Sequence, residues 1–155
     1  MTMDMKTQQY INNLDDLKKL ISGIDDEEVI SSLVKLLCVR TAGLLEIFLK
    51  TRISEYSKGK VPKEINHFMT DKFKDITNLS SSKLAKVLNS FSSDWEEKFC
   101  AYLIEHEQNK ISLDSTISQR HCIAHGQPSN INQASMSQYY DDIKQIVNFL
   151  DGIIR

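Results

Sequence analysis

Apolar positions along this chain recur at intervals of three and four, the spacing of helices that bury one face, with no convincing strand-like alternation. From Tyr10, the positions Leu14, Leu17 and Ile21 give an amphipathic first helix that stops at Gly23. Asp25 followed by Glu28 has the form of a capping box. It predicts a long second helix running through Val29, Leu33, Leu37, Leu44, Phe48 and Ile53 to about Tyr56. The middle of that helix is apolar on most sides, which places it at the centre of a bundle. Two charged residues inside it, Arg40 and Glu46, therefore stand out.

A shorter third helix is expected over Lys63 to Phe73, with Pro62 suited to its first turn because proline lacks the N–H that goes unpaired there. Ser80 to Ser82 offer caps for a fourth helix carrying Leu84, Val87, Leu88 and Phe91. Ser93 with Glu96 predicts the start of a fifth, presenting Trp95, Phe99, Tyr102 and Leu103. A break is expected at Asn109 to Ile111, followed by a sixth segment with Leu113, Ile117, Ile123 and Ala124 that ends at Gly126 and Pro128. Ser135 with Gln138 opens the last helix, whose buried side is read as Tyr139, Ile143, Ile146, Val147, Leu150 and Ile153. Six or seven helices on short loops, with no internal repeat or linker, predict an all-α bundle forming a single domain over residues 1–155.

Composition narrows the functional classes. The 155 residues carry 19 Lys and Arg against 21 Asp and Glu, a net charge of −2, which argues against nucleic-acid binding through bulk positive charge. The apolar runs are too short and too interrupted by charge to reach the roughly 18 residues of a membrane span. Met1-Thr-Met-Asp-Met-Lys lacks the basic stretch and apolar core of a signal peptide. Three cysteines, Cys38, Cys100 and Cys122, cannot all pair with one another, so a reducing, cytoplasmic location is expected. Cys38, among Leu36, Leu37 and Val39, is expected to be a small buried hydrophobe, and Cys100 and His106 to be structural or exposed.

Chemistry concentrates in Ser118-Gln-Arg-His-Cys-Ile-Ala-His-Gly-Gln-Pro128, where a guanidinium and two imidazoles gather in the last turns of one helix. In a straight helix Arg120 and His125 lie roughly 140° apart around the axis and about 7.5 Å along it, so they flank a ligand more than clamp it. A purely structural role is open, since Arg and His complement the dipole at a helix C-terminus. Metal binding is a second reading, because His121 and His125 at i, i+4 share a face with Cys122 nearby. No HExxH, CxxC pair or neighbouring carboxylate completes such a site, so neither metal nor cofactor is expected. Phosphate-cradling glycine loops, a GxSxG elbow and Lys/Arg runs are likewise absent from the sequence. The aromatic residues follow helix faces, as core residues do.

The string Arg120-His-Cys-Ile-Ala-His125-Gly126 resembles the signature of the HEPN superfamily, all-α domains with an Arg, four to six intervening residues and a His near the end of a late helix. Its local form is most similar to the subgroup associated with RNA ligases and polynucleotide phosphatases. A long early helix carrying a Glu, here Glu46, and a closing amphipathic helix extend the resemblance over most of the chain. Where that family most often has Asn after the Arg, this chain has His121. Gln127 stands where HEPN toxins controlled by modification of a Tyr carry that Tyr, so such control is not expected.

The resemblance implies a metal-independent endoribonuclease acting as a homodimer, with the two motifs facing each other. Arg120 and His125 would be catalytic, His121 a helper, and Glu46 and Arg40 supports for Arg120, although an ion pair unrelated to catalysis is an equal reading for these two. RNA would be the substrate, an antitoxin or defence-system component a further partner, and toxin or antiphage effector the role. The competing expectations are a noncatalytic HEPN dimerisation or binding module and a structural bundle whose motif match is accidental.

Overall fold

The computed structural model describes residues 3–155 and contains, among them, seven α-helices and no strand. The all-α architecture read from the apolar spacing is what the chain adopts. The helices are α1 (Met5–Ser22), α2 (Glu27–Ser57), α3 (Lys63–Phe73), α4 (Ser81–Phe91), α5 (Ser93–Glu105), α6 (Glu107–Ala124) and α7 (Gln133–Ile153). Helix α2, with 31 residues, is about 46 Å long. It packs against α1, α3, α6 and α7, while α4 and α5 pair with each other and lean on α6. Leu37, Cys38, Ala42, Leu44, Leu45, Phe48, Leu49 and Ile53 of α2 are all essentially without solvent contact, so its apolar surface is covered from several directions. A helix whose middle is apolar on most sides has to sit there, because exposing that stretch would forgo its hydrophobic stabilisation.

The ends of the helices depart from the sequence reading by one to five residues. Helix α1 starts at Met5, not Tyr10, because Asp4 caps it by accepting the Thr7 N–H at 2.7 Å. The cap of α2 is Asp26, which accepts from Glu28 and Val29, and that of α5 is Ser92, which accepts from Trp95. In each case the neighbouring residue, Asp25 or Ser93, has a suitable side chain but is displaced by one position. Pro62 is the residue just before the first turn of α3, and Asn132, not Ser135, caps α7. On α7 the fully buried tyrosine is Tyr140, while Tyr139 is half-buried. The Tyr140 hydroxyl, whose pKa burial raises before any other influence, donates to Asp15 on α1.

The break expected at Asn109 to Ile111 lies instead at His106, which joins α5 to α6. Asn109 is buried inside α6, with its amide donating to the Tyr102 hydroxyl at 2.7 Å and to Gln145 at 3.2 Å. Those partners occupy the side chain that would otherwise compete with the helix backbone. Ile65 and Phe68 of α3 are about half exposed, so that helix contributes mainly Phe73 to the core.

Cys38 is fully buried as expected, its thiol donating to the Thr116 carbonyl at 3.6 Å. Burial pushes that thiol up from 9.0 to about 12, against a smaller downward pull from the charge of Arg120. Between those values the unfolded chain has lost the proton and the native chain retains it, so stability falls as pH rises above about 9. Urea titrations between about pH 9 and pH 11 should therefore show a steeper loss for the parent than for Cys38→Ala. The difference in slope is expected to be up to about 1.4 kcal/mol per pH unit. Equal slopes would refute a protonated native thiol in that range.

Candidate active site

Helix α6 brings the charged cluster to a surface where α2 and the loop between α3 and α4 meet it. Arg120 projects from the penultimate turn of α6 toward α2, with about a quarter of its side chain exposed. Its Nη1 lies 3.3 Å from each carboxylate oxygen of Glu46, whose side chain is only 10% exposed. The same Nη1 donates to the Asn78 amide oxygen at 3.1 Å. Nη1 has two hydrogens, and these partners engage both. The Nε and Nη2 edge, the fork that matches two phosphate oxygens, has no hydrogen-bond partner among the described residues.

Asn78 holds its position by an unusual backbone. Its φ of +53° lies in the left-handed region, which Asn tolerates better than most residues, and its carbonyl accepts the Ser80 N–H at 2.9 Å just before α4 begins. The sequence reading missed Asn78. An Asn before a run of serines signals only a turn, and its link to Arg120 spans 42 residues.

Tyr10, from which the apolar spacing of α1 begins, is half-buried and borders this site. Its hydroxyl donates to the Arg40 carbonyl at 2.7 Å and lies 2.8 Å from where a Cβ on Gly43 would be, so the absent side chain is what lets α1 come this close. Burial raises the Tyr10 pKa most, the charge of Arg40 opposes that, and the charges of Glu46 and Arg120 act on it as well. Those influences place Tyr10, Arg40, Glu46 and Arg120 in one electrostatic neighbourhood. Arg40 itself is exposed and forms no ion pair among the described residues; Glu46 alone of those two meets Arg120.

His121 and His125 are exposed on one face of α6, with ring centroids 4.4 Å apart and ring planes at 55°. Among the described residues no hydrogen bond or ion pair joins either to Arg120. His125 terminates the helix. Beyond it the Gly126 N–H donates to the Ile123 carbonyl and the Gln127 N–H to that of Cys122, the paired bonds of a Schellman ending. This turn needs the φ of +64° at Gly126. A Gly126→Ala substitution meets no neighbour there, so its cost is the backbone strain alone, about 1–2 kcal/mol. Calorimetry should show that loss, and an unchanged melting temperature would refute it. Among the described residues no group of three His, Cys, Asp or Glu is placed to hold a metal ion. Cys100 bonds to Glu96 within α5, and His106 to Tyr102 at the end of the same helix.

Compared with known proteins, residues 6–155 match the family model described as RiboL-PSP-HEPN. The chain belongs to the RiboL-PSP-HEPN family. The match extends from the second residue of α1 to the end of the chain, so it embraces every element that builds the Arg120 site. No curated protein and no solved structure gives a significant match. Membership of the RiboL-PSP-HEPN family places the chain among HEPN-type nucleases and RNA-related modules, domains that commonly dimerise and bind RNA. No helix among the described residues is long and apolar enough to cross a membrane.

Proposed function

We propose that this protein is a metal-independent endoribonuclease that cleaves RNA by transesterification in a cleft between two copies of the chain, each a single domain over residues 1–155. The observation that carries the reading is the arrangement of Arg120. One end of its guanidinium is held by Glu46 and Asn78, its bidentate edge is left open, and two imidazoles stand on the following turn of the same helix.

In this reaction the RNA 2′-hydroxyl attacks the adjacent 3′-phosphorus, its proton passing to one imidazole. The bond to the 5′-oxygen breaks as a second imidazole protonates that oxygen. The products are a 2′,3′-cyclic phosphate and a 5′-hydroxyl. Two copies of His125, one from each subunit, would serve as base and acid, with His121 beside each. Arg120 would stabilise the charge that builds on the phosphorane. The pairing of Glu46 supports a positioning role: a carboxylate this buried needs a cation, and the cation it has is the one offered to phosphate. Kinship with small HEPN domains of toxin–antitoxin and antiphage systems supports a role as toxin or defence effector in the cytoplasm, with an antitoxin or defence component as partner.

The test is cleavage of total cellular RNA in excess EDTA by the wild type and by His125→Ala, with the new ends identified chemically and the mass in solution measured by sedimentation. Cyclic phosphate and 5′-hydroxyl ends from the wild type alone, made by a species of twice the chain mass, are expected. A confirmed dimer that cuts nothing would turn the reading to a noncatalytic HEPN binding module.

A further inference from the structure

Three lysines converge on one cleft, and each lies four residues from a residue of the Arg120 site. On α2, Glu46 pairs with Arg120, and Lys50 follows one helical turn later. In the segment returning from α3, Asn78 binds Arg120, and Lys74 precedes it by four. On α1, Tyr10 lies within the field of Glu46 and Arg120, and Lys6 precedes it by one turn. Tyr10 meets Arg40 and Gly43 while Lys6 shares a cleft with Lys50 and Thr51, so α1 runs opposite to α2, and the chain also returns along α2 through α3; all three steps therefore lead in the same direction. The three lysines indeed line a common cleft of about 460 Å³ between α1, α2 and α3.

From these observations the geometry points to a binding subsite for the phosphodiester backbone of single-stranded RNA, in line with the scissile phosphate at Arg120. The inference rests on the nuclease reading for the placing of that phosphate. On α1 and α2 the four residues from Tyr10 to Lys6 and from Glu46 to Lys50 advance about 6 Å, on the order of the step between successive phosphates in an extended strand; Lys74 and Asn78 are joined by the non-helical segment after α3. A groove of positive charge that tracks the backbone is the general solution for sequence-tolerant binding of single strands. Thr51, Asn66 and Thr70 add polar atoms to the walls, able to meet ribose hydroxyls.

The charge balance favours an anion. Glu55, the carboxylate in the lining, lies 3.4 Å from Arg52 and is partly neutralised by it. Lys6 and Lys50 form no ion pair among the described residues. Lys74 reaches only Asp71 at 3.4 Å, with both side chains about two-thirds or more exposed, a pair that a phosphate can displace. The protein therefore gathers local positive charge although its net charge is −2. The lysines come from three separate segments, which is why no basic run marks them in the sequence.

The experiment measures binding of a short 2′-O-methylated oligouridine, which lacks the attacking hydroxyl, between about 50 and 200 mM salt. Lys6→Gln, Lys50→Gln and Lys74→Gln together should lower the slope of log affinity against log salt by about 2, since each single-strand phosphate contact contributes roughly 0.7. Neutralising Lys35, Lys86 and Lys98, all exposed and outside the cleft, should leave the slope unchanged; circular dichroism of both triple variants verifies folding. A cleft variant with the wild-type slope and affinity would overturn the subsite, as would a wild type that does not bind the strand. Lysine-dependent binding by a wild type that cuts no unmodified RNA would uphold the subsite and defeat the nuclease reading instead.

Discussion

Arg120→Lys is expected to slow RNA cleavage about 100- to 1000-fold while leaving the fold intact. Lysine keeps the positive charge that Glu46 requires, so the pairing across α2 and α6 survives and stability changes little. What disappears is the planar fork: an ammonium cannot engage Glu46 through one edge and grip two phosphate oxygens through another. Arg120→Ala should match that rate loss and also destabilise the protein, because it leaves the Glu46 carboxylate, one-tenth exposed, without its cation. Asn78→Ala and Glu46→Gln separate positioning from chemistry. Each removes or weakens one anchor of Nη1, so kcat should fall with KM nearly constant, whereas a general loss of structure would lower the amount of active protein and leave kcat per folded molecule unchanged. Steady-state kinetics on one short RNA, with unfolding curves for each variant, check the set. A rate unaffected by Arg120→Lys would take the guanidinium fork out of the proposed chemistry.

Phe48→Ala should produce the largest loss of stability, about 3–5 kcal/mol, read as a lower urea midpoint. Phe48 has no solvent contact and sits in the middle of α2, where the core is covered on several sides and cannot collapse to refill the space. Small domains hold only about 5–15 kcal/mol in total, so this one change removes a large fraction. It also bears on function, because Phe48 is two residues from Glu46 on the helix that presents the carboxylate to Arg120. A loss below about 1 kcal/mol would mean that the surroundings of α2 repack far more readily than a dense core allows.

Helix existence was legible because burial imposes a periodicity, and α2 declared its central place by a middle that is apolar on most sides. Helix ends were less legible. Asp25 and Asp26, or Ser92 and Ser93, are chemically equivalent caps, and the choice falls on whichever residue carries the extended backbone while its neighbour is already helical. Asn109 shows the opposite failure: a residue that often breaks helices is kept inside one by Tyr102 and Gln145, partners supplied by α5 and α7. The Arg120–His125 string was visible as a local cluster. The pairing of Glu46 with Arg120 was legible only as an expectation, since a charge inside an apolar helix requires a partner but does not name it, and Arg120 was indicated by the family resemblance alone. Arg40, marked by the same logic, turns outward instead, and only its carbonyl takes part, as the acceptor for Tyr10.

By itself the sequence determined the all-α class, the central helix, the glycine that ends α6 and the cluster of Arg120, His121 and His125, because each follows from interactions within a few turns of one helix. The tertiary structure alone decided that Asn78 shares Arg120 with Glu46, that Tyr10 stands against Gly43, and that Lys6, Lys50 and Lys74 line one cleft. Those groups are distant along the chain, and only the packing of α1 and α3 against α2 brings them together.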